Sequence, residues 1–180
     1  MRKIILVLVF SFIICGCVKR LSPEDIVRNY LNSYQKLDEG VISEINKVVD
    51  NNSEFNDAHK VLYKKILIRQ YQSLKYDIIS ANIDHEYAIV KVNVIVHDLI
   101  KAQKEAQNNL IDNLSNFYDE NNHFDNDKYL LSKLEYMEKS KVLTDYDIDF
   151  VLKKKNGKWI LKNPTDEDLL KIHGLYEKDS

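Results

Sequence analysis

Apolar positions recur three and four apart through Ile26, Val27, Tyr30, Leu31, Tyr34 and Leu37, the spacing that gathers side chains on one face of an α-helix. Ser22-Pro23-Glu24-Asp25 in front of them supplies a start: a hydroxyl for the N-cap, proline at the first helical position, acids in the first turn. Gly40 is the expected stop. Val41, Ile42, Ile45, Val48 and Val49 predict a second, short helix. After polar Asn51-Asn52-Ser53, a third is expected from Phe55 to Ser73 through Ala58, Leu62, Tyr63 and Ile66.

The period then shortens to two. Val90, Val92, Val94 and Val96 fall on one side of Tyr87 to Asp98, with Lys91, Asn93 and His97 on the other, which reads as a half-buried strand. Leu74 to Ile83 is its expected partner across an Asp84-His85-Glu86 turn. Tyr146, Ile148, Phe150 and Leu152 alternate with Asp145, Asp147 and Asp149 in the same way. Asn156-Gly157 follows, a pair that accepts positive φ at both centres of a type I′ hairpin. A two-residue loop there sets Lys155 against Lys158, Lys154 against Trp159 and Leu152 against Leu161. Pro164-Thr165-Asp166-Glu167-Asp168 opens a last helix that Gly174 closes. Residues 100–142 read as a helical hairpin inserted into the sheet connection. Its stripes are Ala106, Leu110, Leu114 and Phe117, then Leu130, Leu134 and Met137, around a polar break at 121–127.

The amino terminus follows a different logic. Arg2 and Lys3 precede an apolar run from Ile4 to Ile14, the layout of a secretory signal peptide. Eleven helical residues cover roughly 16 Å of a hydrocarbon core about 30 Å thick, so a permanent membrane span is the weaker reading. The only two cysteines of the chain close this run, in Ile14-Cys15-Gly16-Cys17. This stretch resembles the lipobox of bacterial lipoproteins. The resemblance implies cleavage between Gly16 and Cys17 and a diacylglyceryl thioether on Cys17, the new amino terminus. Cys15, preceded by bulky Ile14, leaves with the signal. A disulfide between cysteines one residue apart demands a strained ring, and no third thiol exists for a framework. The chain therefore divides into a signal peptide (1–16), a tether (17–21) and one α+β domain (22–176).

Helices followed by antiparallel strands give an α+β order. The segments SPEDIVRNYLNSYQKLDEG and YDIDFVLKKKNGKWIL are similar to small lipoproteins of the nuclear transport factor 2-like superfamily. That resemblance implies N-terminal helices packed on a curved antiparallel sheet, a cone, from which the insertion at 100–142 is a departure. The superfamily holds both enzymes and non-catalytic scaffolds, so the fold alone assigns no activity.

Composition narrows the function classes. The chain has 180 residues and a formal charge of −2, which becomes −4 once Arg2 and Lys3 leave with the signal. This mild acidity argues against a nucleic-acid partner. With four glycines there is no glycine-rich phosphate cradle. The wealth of Lys, Asn, Ile and Tyr is what AT-rich coding produces, as in low-GC Gram-positive bacteria. His59, His85, His97, His123 and His173 show no metal-ligand spacing, and no metal or cofactor is expected. His97-Asp98 ends a strand and tempts as a proton-transfer pair, since enzymes on this cone use a buried Asp or His. Strand parity aims the two at opposite faces, so a solvated strand end is the simpler reading. Asp145, Asp147 and Asp149 lack the turning backbone and glycine of a calcium loop; they read as a wet face opposite Lys153 to Lys155. Tyr30, Tyr34, Tyr146, Phe150 and Trp159 fall on inferred core faces, as packing or as the lining of a pocket. The expectation is a non-enzymatic module, anchored by lipid to the extracytoplasmic face of the cell membrane. It would bind an envelope protein or small ligand. The alternative is an envelope enzyme with an Asp or His in the cone.

Overall fold

The computed structural model describes residues 20–178; Cys15, Gly16 and Cys17, on which the lipid-anchor reading turns, lie outside them. Among the described residues six α-helices accompany one open, four-stranded antiparallel sheet.

Helix α1 (Pro23–Lys36) starts as its sequence requires. Asp25 N donates to Ser22 Oγ and Ser22 N to Asp25 Oδ2, both at 3.1 Å, a reciprocal capping box. Its end corrects the expectation for Gly40. The chain turns out of the helix at Leu37, φ 55°, whose N–H donates to Ser33 and Tyr34 carbonyls. Asp38 N then donates to Ser33 O, closing a Schellman-type cap. A left-handed leucine costs about 1–2 kcal/mol, offset by the packing of its side chain against the core. Gly40 lies in the first turn of α2 (Glu39–Asp50), with open space where a Cβ would stand. Val41, Ile45 and Val49 are the buried stripe of α2, and Val48 faces solvent.

Helix α3 (Asp57–Ser73) begins two residues after the expected Phe55, capped by Asn56. Ala58 is exposed. Two faces of α3 are buried. Leu67 and Tyr71 join the sheet-side core, and Ile66 joins a second cluster with Leu99, Ala102, Leu134 and Met137. A helix clamped between two layers has no single apolar stripe: of the expected positions Ile66 is buried, Leu62 and Tyr63 pack against the core, and only Ala58 faces solvent.

Strands β1 (Lys75–Asp84) and β2 (Tyr87–His97) pair from Lys75↔Ile95 to Asp84↔Tyr87. A bulge at Ile79 shifts the register once, so Tyr76 and Ile78 before it and Ala81 after it all face the core. Val90, Val92 and Val94 are fully buried and Val96 is 1 % exposed. Strand β3 (Leu143–Lys155) pairs with β2 from Tyr87↔Lys153 to His97↔Leu143. Strand β4 (Lys158–Leu161) pairs with β3 at Leu152↔Leu161, Lys154↔Trp159 and Lys155↔Lys158, the register its turn dictates.

Helices α4 (Leu99–Asp112) and α5 (Asn126–Lys139), with a short 3₁₀ turn at Leu114–Phe117 between them, form the insertion. Asp98 N donates to Val142 O at 2.9 Å. The two ends of the insertion therefore meet, and β2 and β3 remain neighbours. Leu130, Leu134 and Met137 are buried as expected. On α4 the buried residues are Leu99, Ala102 and Ala106, whereas Leu114 is exposed. Helix α6 (Asp166–His173) is capped by a Thr165–Asp168 box and closed by Gly174 at φ 69°. It packs with α1 and α3 against one face of the sheet. No described helix is long and apolar enough to cross a membrane.

Candidate functional site

The sheet has two unlike ends. At the end where β2 finishes, polar groups turn inward. The side chain of Gln70, fully buried, takes the place that β1 vacates beside His97. Its Nε2 donates to His97 O and its Oε1 accepts from His97 N, so a side-chain amide continues the ladder. The same Nε2 donates to His173 O at 2.9 Å. One hydrogen bond of 2.7 Å joins Tyr71 Oη to His173 Nδ1. Burial holds the His173 imidazole down at about 4 and pushes the Tyr71 phenol up, so both are neutral in the fold. Gly174 fits against this node because a Cβ there would stand 2.1 Å from His97 O and 2.3 Å from Gln70 Nε2.

His97 is correspondingly not the solvated strand end expected of it. Burial lowers its pKa, with the Arg69 guanidinium adding to the effect, and its Nδ1 is buried without a partner. Arg69 itself donates to the Met137 and Glu138 carbonyls. Asp98 is committed elsewhere: its Oδ1 accepts from Lys101 N at 2.8 Å and caps α4.

The opposite end is built by the β3–β4 hairpin. Asn156 at φ 52° and Gly157 at φ 74° make the turn, and Arg20, where the described chain begins, reaches Gly157: its Nη1 would lie 3.9 Å from a Cβ there. A cleft of about 360 Å³ opens between them. Leu21, Ile26 and Trp159 give it apolar lining; Arg20, Lys154 and Lys158 give it positive charge. Lys154 Nζ stands 5.3 Å from the Trp159 ring centre. On the other side of the sheet, Lys153 and Lys162 Nζ stand 5.5 and 5.3 Å from the Tyr87 ring.

The outward-facing positions of β3 connect the ends: Asp145, Asp147, Asp149, Val151, Lys153, Lys155. Asp145 and Asp147 have local partners, though not the Lys153 to Lys155 expected from sequence, which lie further along the same strand. Asp147 accepts from Lys91 Nζ at 3.0 Å and Asn93 Nδ2 at 3.1 Å, and these bonds, Asn93 first, hold its carboxyl below the usual range. Lys178 lies 3.6 Å from Asp145. Among the described residues no ion pair involves Arg20, Lys153, Lys154, Lys155, Lys158 or Lys162.

The five aromatic residues singled out from the sequence are thereby separated. Tyr30, Tyr34 and Phe150 meet in the core, with Tyr30 5.4 Å from Tyr34 and 5.7 Å from Phe150 by ring centres. Tyr146 packs edge-on against Tyr176. Trp159 alone of the five lines the hairpin cleft. Sequence reasoning passed over Arg20 and treated the hairpin lysines only as register partners and as counterparts of the β3 acids; the signal available was the density of lysines around the turn. No group of three or more metal-ligating side chains converges among the described residues. No family model matches the chain, and no curated protein or solved structure matches it either.

Proposed function

We propose that the protein is a lipoprotein held on the extracytoplasmic face of the cell membrane through Cys17, with a folded body that acts as a non-enzymatic binding module for an envelope protein or small ligand. The observation that carries this reading is Ile14-Cys15-Gly16-Cys17 placed immediately before the folded domain. Only four residues separate Cys17 from the Ser22 cap, at most about 18 Å of extended chain over the five steps. A diacylglyceryl group supplies two acyl chains, enough for stable anchoring where one is marginal.

The binding role is supported by where polar chemistry lies. Tyr71, His173 and Gln70 are spent on packing the body together, whereas the cationic, tryptophan-lined cleft faces outward next to the tether. The cone of the nuclear transport factor 2-like superfamily belongs to the same proposal. In this version of it, α1, α3 and α6 would cover the sheet, and Tyr34, Tyr71, Phe150 and the valines would fill the interior, putting the binding surface outside.

Substituting Cys17→Ala in the full chain, followed by cell fractionation and intact-mass measurement, tests the anchor. The wild-type protein should partition with membranes at high salt and carry a diacylglyceryl mass on a chain starting at Cys17. A wild-type chain that retained residues 1–16, or a variant that remained with the membrane as firmly, would end the proposal.

A further inference from the structure

We infer that the β3–β4 hairpin end is a second membrane contact: its cations bind the phosphates of anionic phospholipid headgroups and hold the domain in one orientation on the bilayer that anchors it. The inference rests on the lipid-anchor reading for the distance between surface and bilayer. Cys17 lies three residues before Arg20, at most about 11 Å of chain, and Arg20 reaches Gly157 at the hairpin tip. Whatever holds Cys17 at the interface therefore holds this end close to it.

Charge complementarity selects the occupant. Arg20, Lys153, Lys154, Lys155, Lys158 and Lys162 gather at one end of the sheet, and none has an ion-pair partner among the described residues. Acids adjoin this end as well: Asp84 and Glu86 sit at the β1–β2 turn, where Glu86 O accepts from Lys154 N, and Glu24 and Asp25 open α1, with Asp25 in the capping box. Exposed apolar surface accompanies the charge, with Leu21 at 49 %, Tyr87 at 46 % and Ile160 at 50 % exposure. Aromatic and apolar groups beside lysines suit the headgroup layer, where an amphipathic ring has one side wet and one side apolar. The acids at the other end of β3 add a lever. The outward positions run from Asp145 to Lys155 over ten residues, roughly 33 Å of strand, so a negative membrane surface attracts one end and repels the other.

The test uses Trp159, the single tryptophan of the chain, as an internal probe. The full lipidated protein is reconstituted into vesicles of phosphatidylcholine alone, or of phosphatidylcholine and phosphatidylglycerol in equal parts. Quenching of Trp159 by lipids brominated near the headgroup is then measured. Each basic residue near an anionic surface strengthens attraction roughly fivefold. Quenching should therefore be clear with phosphatidylglycerol, weak without it, and reversed by salt, while flotation with the vesicles persists. Lys155→Glu combined with Lys158→Glu, which leaves Lys154 over Trp159, should abolish the difference between the two vesicle types. Equal quenching in both vesicles, or quenching indifferent to salt and to the double variant, overturns the inference. So does removal of the quenching by inorganic phosphate at constant ionic strength, which would make the cleft a site for soluble phosphate. A chain that floats only with phosphatidylglycerol and only at low salt would refute the Cys17 anchor and uphold the electrostatic contact.

Discussion

The two ends of the sheet use their polar groups in opposite ways. Where β2 ends, Gln70 satisfies both backbone groups of His97 and the carbonyl of His173, and Gly174 packs too closely to admit a methyl group. Where β3 turns into β4, lysines and an arginine surround a half-buried tryptophan with no counter-ion among the described residues. A buried polar group without a partner costs about 1–3 kcal/mol, which is why Gln70 pairs the backbone groups of the first end within the chain, although His97 Nδ1 stays unpartnered. Exposed cations cost little when unpaired, because water serves them. That difference marks the first end as structure and the second as surface available to a partner.

The contrast is broken most severely by giving Gly174 a side chain. Gly174→Ala combines a left-handed φ with a Cβ 2.1 Å from a backbone oxygen, and neither β2 nor Gln70 can withdraw without opening the ladder. A loss above about 4 kcal/mol is expected in urea unfolding, in the range of severe core lesions. Gln70→Leu comes next. It leaves His97 N, His97 O and His173 O without their partner, and a destabilisation of about 3–5 kcal/mol should follow. A stability within about 1 kcal/mol of wild type for either variant would mean that the node does not hold that end together.

Titration of His173 probes the same end without changing its shape. The ring is held at about 4 in the fold, against about 6.5 in the unfolded chain. Above pH 6.5 neither state binds the proton, and the stability due to the neutral ring is fully present. As pH falls from about 6.5 to 4 the unfolded chain is protonated first, and up to about 3 kcal/mol is lost. Below pH 4 this group contributes no further slope. The difference between wild type and His173→Gln, followed by denaturation across that window, isolates the contribution. Parallel pH profiles for the two proteins would show that His173 titrates normally.

These two ends were not equally legible in the sequence, and the reason is range. The β3–β4 register follows from Asn156-Gly157 alone, because a two-residue turn fixes every pair behind it. The valines of β2 declare their buried face by alternation, and the Ser22 and Thr165 caps declare their helices within four residues. Gln70, by contrast, acts on His97 and His173, 27 and 103 residues away, and nothing local distinguishes it from an exposed glutamine. Leu37 ends α1 in place of Gly40 because a tertiary contact stabilises a strained leucine. The hairpin cleft needed Arg20 and Gly157 to meet across most of the chain. Its lysines were visible, but a run of lysines reads as a solvated strand end until the start of the domain is found beside it.

The smallest expected effect on stability is the most informative about the other end. Lys155 and Lys158 are opposite each other at the mouth of the turn, exposed, and engaged in no ion pair among the described residues. Replacing both with Glu exchanges one repulsive cross-strand pair for another and buries nothing. The melting temperature should stay within about 2 °C of wild type. If those lysines instead stiffened the hairpin, the change would lower it by considerably more and would also loosen Trp159, read as a red shift of its emission in the free protein. An unchanged fold combined with lost discrimination between anionic and neutral vesicles separates the ends cleanly. Polar groups at the distal end are committed to the fold, and charge at the hairpin remains available to a partner.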